Sequence, residues 1–303
     1  MPTRFSCAIS LPAMCLVLAS SSLFAADVNT ATDGASRAAE GAIWHSDYGT
    51  ATQAARQSRQ MLVIHFEGCA TTGTARQFRD VLAAPSVQDS LARYTLLRLP
   101  VTAAVKVGGR SQRLLAHPAF SYMRCQPGLA MIDFTDPDSP HWNRVVTQMP
   151  FRSGRGLGQR ETLVLLNLPG GSLTQRTLVY AVRIHPEVPQ STNGECCEML
   201  MQEADSHAAH QARIGRQGHH NWERRFHSIS ARLRSGLLAQ EVCAESWPGQ
   251  DLVDAAVECV HSWRQSSGHW SAVRASHPRF GYDMRRGANG IWYATGIFGT
   301  RRY

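Results

Sequence analysis

The chain has 303 residues, 43% of them hydrophobic, which is enough for two ordinary domains with real cores and excludes a wholly disordered protein. Its formal charge of +8 reads first as a solvated basic surface and also suits an anionic envelope polymer as a partner. No nucleic-acid recognition motif accompanies that charge, so nucleic acid is not expected as a partner.

In chain order, Arg4 is followed by an apolar stretch over residues 9–18 and by small residues ending in Ala25 and Ala26. This pattern predicts a secretory signal over residues 1–25, cleaved after Ala25, and a secreted or periplasmic product. The apolar run is shorter than the roughly 20 residues a membrane-spanning helix needs. Residues 26–41 read as a flexible leader. Of eight cysteines, six remain after Cys7 and Cys15 leave with the signal: Cys69, Cys125, Cys196, Cys197, Cys243 and Cys259. An oxidising compartment permits disulfides among them without choosing the pairs.

A helix is expected over residues 48–59, then an apolar strand over 61–66 and a helix with Ala75, Phe78, Val81 and Leu82 on one side, ended by Pro85. Further strands fit residues 94–101, 128–134 and 144–149. Strand, helix, strand and two adjacent strands form an α/β order, placed over residues 42–160. Residues 152–158 and 185–194 are rich in breakers, and 161–194 read as a closing element with a packed connector. Helical spacing returns at Leu200, Ala204, Ala208 and Ala212, at Trp222, Phe226, Ile229 and Leu233, and at Leu252, Ala256, Cys259, Val260 and Trp263. Residues 279–284 and 291–298 read as a hairpin, so 195–303 form a second, α+β domain.

The first domain resembles the thioredoxin-like fold, on this element order, on Glu67-Gly68-Cys69 leading into a helix and on Cys125-Gln126-Pro127-Gly128 leading into a strand. The resemblance implies a cis-proline at Pro127 and a redox or disulfide role for Cys69 and Cys125. Thr72 stands where the second cysteine of a dithiol would be, so the loop lacks the usual two-cysteine chemistry.

The second domain resembles the CAP superfamily of cysteine-rich secretory proteins, venom antigens and pathogenesis-related proteins. The resemblance rests on Gly218-His219-His220-Asn221-Trp222 with Arg225, on Cys243-Ala244-Glu245-Ser246, and on Trp263 through Gly268-His269. It implies a three-layer α-β-α domain whose cleft holds a divalent metal such as zinc on His219, Glu245 and His269, with His220 the alternative to His219. Two imidazoles, a carboxylate and water would make an open four-coordinate site. Glu241 and Glu258 compete with Glu245 as the acid, and Ser266 and Ser246 depart from the family's pattern. His207, His210, His227 and His261 lie on predicted helices and read as surface or hydrogen-bonded side chains.

The expected function is therefore an exported protein that binds an extracytoplasmic ligand or protein partner in a histidine-lined cleft. The alternatives are a metal-assisted hydrolase of an extracytoplasmic polymer and a thiol-disulfide oxidoreductase using Cys69 and Cys125.

Overall fold

The fold is that of a computed structural model, which describes residues 42–68, 72–107, 110–151, 156–233 and 236–301. The expected signal and leader, and Cys69, lie outside the described residues. The described chain is a mixed α/β structure built on two main sheets.

In the first half, strand β1 (Trp44–His45) leads into α1 (Tyr48–Ser58), whose first turn is closed by Asp47 accepting from the Thr50 amide. Strand β2 (Leu62–Glu67) is followed by α2 (Gly73–Ala83), which Thr72 caps in the same way. Pro85 follows α2 but also opens another helix, α3 (Pro85–Leu91), at a first-turn position where no amide hydrogen is needed. The chain continues through β3 (Thr95–Pro100), a small hairpin β4 (Ala104–Val107) and β5 (Arg110–Arg113), two 3-10 turns, β6 (Gly128–Ile132) and β7 (Val145–Pro150). Neither the hairpin nor α3 was expected, because short polar segments carry almost no periodic signal.

The five-stranded sheet has the order β1-β3-β2-β6-β7, with β1, β2 and β3 parallel and β6 and β7 antiparallel. Both faces are covered, which is why β2 is apolar almost throughout. Leu62, Ile64 and Phe66 pack with Ala51 and Ala55 of α1, while Val63 faces Phe78 and Leu82 of α2.

Helices α4 (Gln159–Leu166) and α5 (Leu173–Ile184) follow. The connector expected here is α5, opened by a Ser172–Gln175 capping box and buried at every residue from Gln175 to Val182. It carries a fully buried arginine. Arg176 donates from Nε to Thr147 of β7 at 3.0 Å and from a terminal nitrogen to the Pro169 carbonyl at 2.7 Å. One hydrophobic cluster runs from Val63 through α5 to Phe298, so the two halves share a continuous core.

The second half contains β8 (Glu195–Cys196), α6 (Glu198–Ile214), α7 (Trp222–Arg232), β9 (Leu238–Glu245), α8 (Leu252–Gln265), α9 (Ser267–Arg274), β10 (Arg279–Arg286) and β11 (Trp292–Thr300). The sheet order is β8-β10-β11-β9, with β10, β11 and β9 antiparallel. The expected hairpin is present, and β9 joins it as an edge strand. On one face Leu200 and Ala204 of α6 and Ile229 of α7 pack against Ile297; on the other, Trp263 of α8 meets Tyr282 and Phe298. These are three layers, helix on sheet on helix. Gly281 permits the close approach of α6, since a Cβ there would sit 2.3 Å from the Leu200 carbonyl carbon.

Two expectations need correction. The peptide bond before Pro127 is trans, and the chain reverses instead through left-handed Arg124 (φ 51) and Cys125 (φ 54). Cys125, Cys196, Cys197, Cys243 and Cys259 are all unbridged, with Cys259 inside α8 and Cys243 in the middle of β9. Among the described residues no helix is long and apolar enough to cross a membrane.

Candidate metal centre

Gly215 ends α6 in the left-handed conformation, and the following loop brings His219 to the edge of β9. His269 arrives from the first turn of α9. Their Nε2 atoms stand 3.1 Å apart, with ring centroids at 5.4 Å. The other nitrogen of His219, Nδ1, lies 3.0 Å from Glu241 Oε1. A carboxylate can only accept, so Nδ1 carries the proton and Nε2 keeps its lone pair toward His269. This is the arrangement in which an orienting carboxylate sets the tautomer of a metal-binding imidazole.

The donor set fits a metal. Two nitrogens, each about 2.0–2.1 Å from one tetrahedral zinc, are about 3.3 Å apart, close to the spacing observed. The His219 side chain is 40% exposed, which leaves the outer side of the pair open to solvent.

The expected acid is corrected. Glu245 closes β9 opposite Tyr293 and is exposed, whereas Glu241, opposite Ile297, reaches His219. Four residues of strand separate them by about 13 Å, so one histidine pair cannot use both. His220 is corrected too: its Nε2 bonds the Arg216 carbonyl at 3.2 Å and its ring packs against His210 at 5.5 Å, away from His269.

Behind the pair lies a buried set that helical periodicity had left undistinguished. His207 of α6 meets the Gly218 carbonyl through Nε2 at 2.9 Å and approaches Glu241 Oε1 at 3.8 Å. Arg225 of α7 lies 2.6 Å from Glu241 Oε2, a buried ion pair. Cys243 Sγ is 3.8 Å from His219 Nδ1. The useful signal was the strand period of two, which puts Glu241 and Cys243 on one face of β9.

Burial raises the Glu241 pKa, but His219, His207 and Arg225 together outweigh it and hold the carboxyl below the usual range. Burial pulls His207 down to about 4 despite Glu241, and pulls His269 down with help from His219. Burial, then Glu241, pushes the Cys243 thiol well up.

Ligand atoms of His207, Glu241 and Cys243 lie within 4.8 Å of one another and could hold a metal ion. Occupying that set requires breaking the His207–Gly218 bond, ionising a thiol of raised pKa and placing a cation beside the Arg225 guanidinium. His219 and His269 give up only their own hydrogen bond between the two Nε2 atoms, and need neither a thiolate nor a cation against the guanidinium.

Comparison with known proteins gave no match to the chain among family models, curated proteins or solved structures.

Proposed function

We propose that this is an exported binding protein whose C-terminal half holds a divalent cation, zinc by its imidazole donors, between His219 and His269, and engages an extracytoplasmic ligand or protein partner there. The 3.1 Å approach of the two Nε2 atoms, backed by Glu241 on His219 Nδ1, carries this reading. The three layers around the second sheet support the CAP-like resemblance, and the strand order β1-β3-β2-β6-β7 supports the thioredoxin-like one. The charge of +8 favours an anionic envelope polymer as the partner.

Titration of the full chain with Co²⁺ and Zn²⁺ tests the reading. One equivalent bound, lost in His219→Ala and in His269→Ala but retained in His207→Ala, is the expected result. Retention in the first two with loss in the third would move the centre to the buried set.

The open outer side of the pair favours a second reading, a hydrolase of an extracytoplasmic polymer in which His219 and His269 would hold a cation able to activate water. Turnover of such a polymer that depends on added zinc and disappears in His269→Ala would establish it. Cys125 is an exposed thiol, the feature that supports the oxidoreductase alternative with Cys69. Disulfide exchange that survives Cys125→Ser and Cys69→Ser would end that alternative.

A further inference from the structure

An open cavity of about 640 Å³ lies in the second half, where α8 ends and α9 begins. Its walls include Arg264, Gln265, Ser267, Trp270, Ser271 and Arg274. Trp270 is buried and the other five are exposed. Ser267, Ser271 and Arg274 follow one another at spacings of four and three residues, so one face of α9 presents two hydroxyls and a guanidinium in a row about 10 Å long.

The lining selects the chemistry of the ligand. Sites for apolar molecules are walled by hydrophobic and aromatic side chains with a few polar groups among them. Here the proportion is reversed, and the one aromatic ring is already packed: His185 meets Trp270 at 4.7 Å, and the Arg264 guanidinium lies over it at 5.6 Å. Hydroxyl, amide and guanidinium walls match a ligand that is itself covered with hydroxyls, as a sugar chain is.

The two arginines play different parts. Arg264 pairs through Nε with Glu187 Oε1, and the other oxygen of Glu187 accepts from Trp270 Nε1 at 3.0 Å. This pairing balances the Arg264 charge and fixes its guanidinium, leaving terminal N–H groups to donate to neutral hydroxyls. Arg274 forms no ion pair among the described residues, and no carboxylate lines the cavity. One uncompensated guanidinium matches one carboxylate on the ligand, met by charge-assisted, bidentate hydrogen bonds.

We propose that this groove binds an acidic oligosaccharide, a uronate-bearing stretch of an extracytoplasmic polysaccharide, with a sugar carboxylate on Arg274 and ring hydroxyls on Ser267, Ser271, Gln265 and Arg264. The inference rests on the anionic envelope polymer named above as partner and gives that polymer a chemical class. The cavity falls within the range of roughly 300–1,000 Å³ typical of ligand sites, which suits linked sugars rather than a lone anion. His269 belongs to the same helix, between Ser267 and Ser271, so a chain held along the groove runs within one helix width, about 10–12 Å, of that histidine.

Calorimetry on the full chain tests this, in EDTA so that no metal bridges the carboxylates. Trigalacturonate is the probe, maltotriose the neutral sugar, and tricarballylate the acid without a sugar ring. Trigalacturonate should bind saturably and about tenfold or more tighter than either comparator. Arg274→Gln, a substitution at an exposed position, should weaken that binding about tenfold, and Arg274→Lys less, since a lysine keeps the charge without the fork. Equal binding of maltotriose or tricarballylate, or unchanged affinity in Arg274→Gln, would each overturn the proposal. Trigalacturonate binding without any cobalt uptake would sink the metal centre alone, whereas cobalt uptake without trigalacturonate binding would sink the groove alone.

Discussion

His219 and His269 meet through their Nε2 atoms at 3.1 Å, although 50 positions separate them in the chain. The contact is asymmetric: Glu241 holds the far nitrogen of His219, so one ring is oriented by a buried acid and accepts at Nε2, while its partner donates there. The behaviour of the centre should follow from that asymmetry.

Glu241→Gln should weaken metal binding by about 10- to 100-fold, because the orienting carboxylate of a ligating histidine is worth that much. The same change leaves Arg225, only 18% exposed, without its counter-charge, which should destabilise the fold by about 3–5 kcal/mol. Zinc calorimetry beside urea denaturation separates the two effects; an unchanged affinity would mean that Glu241 does not orient the ring.

Acid should destabilise the protein through His207. Burial lowers its pKa from 6.5 to about 4, so between those values the unfolded chain binds a proton that the folded chain refuses. Stability is therefore lost as pH falls from 6.5 to 4, by about 1.4 kcal/mol per pH unit and about 3 kcal/mol in all. Urea midpoints across this window should flatten in His207→Asn relative to wild type.

Asp283 acts with the opposite sign. It is fully buried in β10, and burial raises its pKa from 3.8 to about 6, so the folded state holds the proton longer than the unfolded one. Stability from this group is present at low pH and falls as pH rises from 3.8 to 6, by about 3 kcal/mol. Asp283→Asn cannot ionise, and its stability relative to wild type should increase by that amount over the same range. A difference independent of pH would show that the carboxyl is already ionised at the acid end.

Arg176→Met should cost about 1–3 kcal/mol in unfolding free energy for each buried acceptor it leaves unpaired. The substitution strands Thr147 and the Leu168 and Pro169 carbonyls, which the guanidinium joins across α5 and β7. Since the shared core runs through this helix, both halves should melt in one transition in wild type, and calorimetry should show that transition broadening or splitting in the variant.

The residues themselves determined the regular elements and the chemistry available. Period-3.6 patterns placed α6, α7 and α8, and apolar runs placed β2, β3, β6 and β7, because these signals are local and repeat within a few residues, whereas His219 and His269 were nominated by a family resemblance. Short polar pieces such as α3, the β4–β5 hairpin and α9 repeat too little to be read that way. Only the tertiary structure chose Glu241 over Glu245, four positions away on the same face of β9, because which residue meets a histidine depends on the register of β9 against β11 and on where the α6–α7 loop lands. It likewise turned a segment read as a connector into the buried helix that carries Arg176. Burial and partnership are properties of several elements packed together, and no stretch of chain read alone contains them.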